Sequence, residues 1–338
     1  MNEKPVVSVV IVNWNGAEHL RICLPSLLSQ SFTSLEIIVV DNASEDDSAD
    51  VAREFQVRWM RLEKNLGLAP VLNRGAALAL GDFLLFVNND MRFDRDFVSA
   101  LVETLRNDDS VFAADGMQFN WDGSAPGHLA TRLTRVPSVK SSSAELVPGL
   151  YFYPEAARRP TPVFMASAAS VLVRRSFFDR LGGFDNRLPL GYEDVEICWR
   201  AGIQGWKIIY VPAAICWHRV GSSGRSPEGA RFNFRGILMG RLLFATKLLP
   251  LRHSFLTWLA SAAGLAKDLS RRRWQAARDR IYILAEFAAL FPKLLREKKH
   301  LFRSAGTTAH AQLQRMLQLS DETENRTWVQ DLGREGGS

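Results

Sequence analysis

The amino-terminal part of the chain alternates continuous apolar runs with helically spaced ones. Val6 to Asn13 is a β-branched run, and Leu20 to Leu28 repeats apolar residues at helical spacing, which predicts strand, turn, helix. The unit recurs as Leu35 to Val40, closed by Asp41 and Asn42, and a short helix from Asp47 to Phe55. Val57 to Leu62, the turn Lys64-Asn65-Leu66-Gly67, a helix from Ala69 to Leu80 and the strand Phe83 to Val87 follow, with a helix over Phe93 to Leu105 behind them. Strands that are hydrophobic on both faces and separated by helices predict a mostly parallel sheet covered on two sides. Ligands of such sheets bind beyond the carboxyl ends of the strands. The polar residues that close the runs, Asn13, Asn15, Asp41, Asn42, Asn88 and Asp90, are therefore the first candidates for chemistry.

From Phe119 to Pro162 the periodicity disappears while Ser, Gly and Pro accumulate, which reads as a long surface excursion. Regular structure resumes with the strand Phe164 to Val173, the helix Ser176 to Leu181 and the turn Gly182-Gly183-Phe184-Asp185. The helix Asp194 to Ala201 and the strand Trp206 to Val211 come next, and helices rich in Leu, Ala, Phe and Arg begin after Pro227. The expected organisation is an α/β domain over 1–226, a basic helical extension over 227–303 and a polar tail over 304–338.

Composition narrows the class. With 338 residues, 47% hydrophobic and 23% charged, the chain suits one large α/β domain with an appendage, or two domains, and intrinsic disorder is excluded for most of it. Three scattered cysteines, Cys23, Cys198 and Cys216, fit neither a disulfide framework nor a structural zinc site and imply a reducing compartment. Met1 to Val12 carries no secretory cleavage pattern. The net charge of +6 is uneven: from Arg225 to His300, sixteen Lys and Arg stand against five acids, a surplus of +11 that leaves −5 elsewhere. A basic segment serves nucleic acid or an anionic bilayer surface, and its apolar content favours the bilayer. The apolar stretch Phe255 to Ala266 has only 12 residues, short of the ~20 that span a membrane. The expectation is a cytoplasmic protein, peripheral at the inner face of the cell membrane, with no nucleic acid partner. The competing reading is ordinary packing helices with solvated basic faces.

Four constellations carry chemistry. Asp41 at a strand end suits a nucleobase or ribose, although short polar residues there also cap helices. Asn88-Asn89-Asp90 delivers an amide and a carboxylate, two positions apart, to the ligand edge, a set that fits Mg²⁺ or Mn²⁺ shared with a diphosphate. Asp90 would carry its charge, and capping of the following helix is the plainer reading. Glu193, Asp194 and Glu196 crowd a helix start, where acids are favoured by the dipole. Like charge and burial there would also raise one of them toward the range of a general base. His218 stands beside Gly221-Ser222-Ser223, where an imidazole meets metal or phosphate and the turn offers N–H and hydroxyl groups to phosphate oxygens. A lone histidine is otherwise a satisfied structural residue.

The ensemble resembles the family-2 glycosyltransferases with the GT-A fold, a Rossmann-like nucleotide-diphospho-sugar transferase architecture, and in particular the branch with bacterial rhamnosyltransferases. The resemblance rests on Val9 to Asn15, Val39 to Ser44, Asn65-Leu66-Gly67 with Asn73-Arg74-Gly75, Asn88-Asn89-Asp90, Gly182 to Asp185, Glu193-Asp194 and His218 to Ser222, in the family's order over Val6 to Ser223. It implies inverting, metal-dependent transfer of a sugar from a nucleoside diphosphate to an acceptor hydroxyl on a glycan or lipid-linked saccharide, in cell-surface polysaccharide synthesis, with rhamnose the first candidate. Asp41 would contact the base, with Asn13, Asn15, Asn65, Asn88 and Asn89 lining the donor pocket. Asn88, Asp90 and His218 would hold the metal, His218 and Ser222 would lie beside the diphosphate, and Asp194 would be the catalytic base with Glu193 as second candidate. Met165-Ala166-Ser167-Ala168-Ala169 departs from the glycine that relatives often carry in a region that faces the acceptor. A nucleotidyltransferase would need a Gly-rich basic phosphate loop after the first strand, which Asn13-Trp14-Asn15-Gly16 is not. A non-catalytic sugar-nucleotide-binding or membrane scaffold protein would not need Asp90, Glu193, Asp194 and His218 together.

Overall fold

The computed structural model describes residues 4–137, 143–155, 157–188, 190–219 and 227–327; Ser222, with Gly221 and Ser223, lies outside them. The first half is built from β1 (Val7–Asn13), α1 (Ala17–Leu28), β2 (Leu35–Asp41), α2 (Ser48–Glu54), β3 (Arg58–Arg61), α3 (Leu68–Leu78), β4 (Phe83–Asn88), β5 (Met91–Phe93), α4 (Phe97–Asn107) and β6 (Val111–Asn120). Then come β7 (Pro126–His128), β8 (Ala130–Thr134), β9 (Ala144–Val147), β10 (Leu150–Glu155), β11 (Thr161–Pro162), β12 (Ser170–Arg174), α5 (Arg175–Leu181), α6 (Glu193–Ile203) and β13 (Lys207–His218). Four helices follow: α7 (Pro227–Leu248), α8 (Leu251–Ser270), α9 (Trp274–Ser304) and α10 (Ala309–Thr327).

The large sheet runs β11-β13-β6-β12-β4-β1-β2-β3. β1 pairs in parallel with β2 and β4, and the register sets Asn13 beside Asp41 and Val12 beside Asn88. Three of the polar strand ends thus share one edge. The period of two along each strand divides the core: Val7, Val9, Ile11, Leu85 and Val87 pack with α1, α2 and α4, while Val10, Leu84 and Phe86 pack with α3, α5 and α6.

Several expectations change. The sheet is mixed, because β12 inserts antiparallel between β4 and β6. The expected strand Phe164 to Val173 is regular only as β12, and Met165 to Ala169 is irregular. The presumed excursion Phe119 to Pro162 contains strands, three of which form a second sheet, β8-β10-β9. Short antiparallel strands broken by Pro and Ser leave too few residues for a period to register. Within the region read as a polar tail, α10 buries Leu313 and Met316 in the main core.

The basic helices are also tied to this core. Leu242 and Leu248 of α7 and Phe287 and Leu294 of α9 join the cluster around α6. A buried ion network fixes that junction. Glu196 accepts from Arg200 at 2.6 Å and Lys247 at 2.7 Å, Lys247 also reaches Asp185 at 2.9 Å, and Arg187 bridges Asp185 to Glu297 of α9. Arg200 additionally donates to the carbonyls of Leu181 and Gly183, closing the Gly182-Gly183 turn.

Burial would raise Asp185 and Glu196, but the facing cations overcome it and hold both below the usual carboxylate range. A depressed folded pKa gives stability that is present above the unfolded value and lost as pH falls through the folded one. Stability should therefore fall on acidification below about pH 4. Glu196→Gln should cost about 3–5 kcal/mol at neutral pH because it strands buried cations, and calorimetric melting at several pH values should show a shallower acid loss in the variant.

Candidate active site

At the edge shared by β1, β2 and β4, side chains bind one another. Asp41, almost fully buried, accepts from Asn13 Nδ2 at 3.1 Å and from the Ser44 hydroxyl and amide, and Arg61 lies 3.7 Å away. Asn89 donates to Asn13 Oδ1 at 2.7 Å, joining this loop to the Asn88-Asn89-Asp90 turn. Asn15, in a left-handed conformation, donates its N–H to Ser44 Oγ, and its own Oδ1 accepts from Glu45 N, both at 2.8 Å. Asn65 accepts from Asn42 Nδ2 and Gly67 N, both at 2.9 Å. Of the expected donor residues, Asn13, Asn15, Asp41 and Asn89 thus form one connected loop scaffold, and Asn65 holds the adjacent turn.

The second group lies one strand end away. β5 follows Asp90 and pairs with β13, with His218 opposite Met91. This brings His218 Nε2 to 3.2 Å from Asp90 Oδ1, and the Arg219 N–H donates to the Asp90 carbonyl at 3.0 Å. Among the described residues no cluster of three or more His, Cys, Asp or Glu is positioned for a metal. A carboxylate and an imidazole in contact, with the Asn88 amide two positions away, nevertheless fit a hard divalent cation that takes its other ligands from a diphosphate and water. Sequence reading missed the cations around them. Arg92 stacks between Trp121 and Trp217, at 5.1 and 4.6 Å from the ring centres, and Arg219 lies 4.7 Å from the Trp121 centre. These cations are held on aromatic faces at the β5–β13 pairing that carries His218.

The acids at the start of α6 separate by environment. Gly191 and Tyr192 both adopt positive φ, which turns the chain sharply into the helix. Tyr192 is gripped from outside: its hydroxyl donates to the Leu146 carbonyl, Arg241 donates to it at 3.0 Å, and a Cβ on Gly240 of α7 would come within 2.8 Å of its ring. Glu196 is committed to the ion network, Glu193 is 4% exposed with Oε2 unpartnered, and Asp194 is half-buried. Burial, then the neighbouring Asp194, raises Glu193. Burial also raises Asp194, against the N–H groups of Val195 and Ala168 and the nearby His128. His128 itself bonds Asp115 at 2.7 Å. Neither residue was singled out from sequence, since their contact is made only when β7 folds back on β6.

Met165 to Ala169 connects the two groups. Asn88 N–H donates to the Ala169 carbonyl at 3.0 Å, and Asp194 accepts from the Ala168 N–H. The Asn88–Asp90 turn and Asp194 are therefore tied to adjacent residues of one short segment, Ala169 and Ala168. Residues 8–182 match the family described as Glycosyl transferase family 2, more than half of the chain.

The chain belongs to glycosyl transferase family 2.

The glycosyltransferase is 28% identical over 246 residues to the N-acetylglucosaminyl-diphospho-decaprenol L-rhamnosyltransferase of Mycobacterium tuberculosis, covering 66% of this chain and 79% of that protein. Its fold is shared with the mannosyltransferase PcManGT from Pyrobaculum calidifontis in complex with GDP-Man and Mn²⁺ (TM-score 0.52, 19% identity, 96% of this chain and 88% of that one). It is shared also with GalNAc-T7 bound to UDP, GalNAc and Mn²⁺ (TM-score 0.54, 20% identity, 73% and 51%). Within this glycosyltransferase, Gly16 is required by close approach: a Cβ there would stand 1.9 Å from Asn89 Nδ2 and 2.7 Å from Asn13 Oδ1. Gly16→Ala should break the Asn13–Asn89 tie and weaken nucleoside diphosphate binding about tenfold, read by calorimetric titration.

Proposed function

We propose that this glycosyltransferase is an inverting enzyme that moves a sugar, with rhamnose the first candidate, from a nucleoside diphosphate to a hydroxyl of a lipid-linked saccharide in cell-surface polysaccharide synthesis. The observation that carries this reading is a juxtaposition across one short segment: the Asn88–Asp90 turn, with His218 on Asp90, meets Ala169, and Asp194 meets Ala168. The Mycobacterium tuberculosis relative, named for an L-rhamnosyl transfer to a diphospho-decaprenol saccharide, supports the donor and acceptor classes. A nucleotidyltransferase and a non-catalytic scaffold are both less consistent with the family.

In this reading the scaffold of Asn13, Asn15, Asp41, Asn65 and Asn89 receives the nucleoside. Asp90 and His218, with Asn88 alongside, would hold Mg²⁺ or Mn²⁺, which would supply Lewis-acid stabilisation to the departing diphosphate. His218 would lie beside the same diphosphate, with the Arg92 and Arg219 guanidiniums on the neighbouring tryptophans adding positive charge to this end of the sheet. Asp194 takes the acceptor proton as the acceptor oxygen attacks the anomeric carbon opposite the leaving group, so the carbon–oxygen bond to the diphosphate breaks and configuration inverts. Its half-buried site and raised pKa suit a general base. Glu193, enclosed beneath it, is the second candidate.

Support for membrane-surface association comes from α8, whose pattern is inverted. It buries His253, Ser254, Thr257, Ser261 and Asp268 and exposes Leu251, Phe255, Leu256, Trp258 and Leu259. No helix among the described residues is long and apolar enough to cross a membrane. Between Leu251 and Tyr282 the two acids, Asp268 and Asp279, are buried and paired with arginines, whereas Arg252, Lys267, Arg271, Arg272, Arg273 and Arg278 are exposed. An apolar face rimmed by cations with no exposed acid is complementary to anionic headgroups.

Two outcomes are expected. Asp194→Asn should lower transfer about 10²–10⁴-fold with donor affinity nearly unchanged and nucleoside diphosphate as the product of the wild type; near-normal turnover, or release of pyrophosphate, would eliminate the mechanism. The protein should float with phosphatidylglycerol vesicles and not with phosphatidylcholine. The Phe255→Ser, Trp258→Ser pair should lose at least about tenfold in vesicle binding, since each buried side chain contributes about 1.5–3 kcal/mol. Concentration-dependent self-association without vesicle binding would instead assign α8 to a protein interface.

A further inference from the structure

His128 and Asp115 lie apart from the donor scaffold and from the Asp90–His218 pair, and nothing in the reaction as described above employs them. Asp115 is 1% exposed, and its Oδ2 takes both His128 Nε2 at 2.7 Å and the Ser167 N–H at 3.0 Å. The next amide, Ala168 N–H, is donated to Asp194. Consecutive amides of one irregular segment therefore hold Asp115 and Asp194 side by side, and His128 lies within electrostatic reach of Asp194 from the β7 hairpin. We propose that His128, oriented by Asp115, is a positioning residue that sets a positive charge against Asp194, keeping the acceptor-side acid ionised between turnovers.

The need for such a charge follows from the surroundings. Glu193 adjoins Asp194, Tyr192 and Cys198 of α6 face it, and Tyr210 and Cys216 of β13 face Asp115. Burial pushes both tyrosines and both thiols up, so they stay neutral and offer no countercharge. Arg241 is turned to the Tyr192 hydroxyl. A carboxylate enclosed among other carboxyls and neutral groups would otherwise hold its proton and could not accept another. Burial by itself would lower His128, but the Asp115 carboxylate reverses this, so the imidazolium persists to higher pH than an ordinary histidine. The pair thus acts on the same acid as the proposed reaction, and the inference rests on Asp194 being the base.

The test uses the full chain and two readouts. In histidine-labelled protein, the His128 imidazole signal, assigned by its loss in His128→Gln, should titrate above the usual histidine range in the wild type and drop by about one pH unit in Asp194→Asn. In transfer assays, His128→Gln keeps a hydrogen-bonding group toward Asp115 but removes the charge. Its acid limb of kcat/KM should move up by about one pH unit, with turnover recovering at high pH. A purely structural role would lower turnover at every pH and leave the limb in place, and that result, or a His128 titration indifferent to Asp194→Asn, overturns the proposal. Full transfer by Asp194→Asn despite a responsive His128 would show instead that the reading of Asp194 had failed, and the pair's function with it.

Discussion

Everything at the active site depends on how the backbone of Met165 to Ala169 is satisfied. The segment has no regular structure, yet Met165, Ala166, Ala168 and Ala169 are buried, and buried peptide groups need partners. Each residue finds one, on four different elements: the Met165 carbonyl on Thr131 of β8, Ala166 N–H on Cys198 Sγ of α6, Ser167 N–H on Asp115 of β6, Ala168 N–H on Asp194 of the same α6, and the Ala169 carbonyl on the amide of Asn88 of β4. The side chains are small, so these elements approach closely. One five-residue strip thereby fixes the spacing between the Asn88–Asp90 turn and Asp194.

Environment, more than residue type, then divides the carboxylates. Glu196 is locked by Arg200 and Lys247 and serves the junction with the carboxyl-terminal helices. Asp41 is bound within the loop scaffold at the strand ends, Asp90 faces an imidazole, Glu193 is enclosed, and Asp194 is only half-buried. Acids whose surroundings drive their proton affinities apart are suited to different roles in one reaction. The grip on Tyr192 from α7 links this partition to the helical extension, so the extension supports the acid pair as well as covering the core.

Much of this was legible in the sequence where local signals suffice. Apolar runs ending in Asn13, Asp41 and Asn88 announced the parallel strands and the polar edge that they share, because burial on two faces leaves a continuous run and an abrupt polar end. The segment between Phe119 and Pro162 was not legible, since its strands are short, antiparallel and paired with distant partners. The Asp115–His128 contact is invisible for the same reason, being made across a hairpin. Glu196 looked like another member of the acid cluster, although Arg200 four residues later is the signal of a helical ion pair. The inverted burial of α8 also escaped composition: its polar residues face the other helices, and only the packed structure shows which face was left outside.

The central claim, that one cleft holds the diphosphate-binding cation and the accepting acid on either side of Met165 to Ala169, is open to a direct measurement. Titrating Mn²⁺ with a nucleoside diphosphate into isotope-labelled protein should broaden His218 together with the amides of Ala168, Ala169 and Asp194. Signals from Val7 and Phe83, at the opposite ends of β1 and β4, should stay sharper. Broadening at His218 that leaves Ala168 and Asp194 untouched would contradict the account.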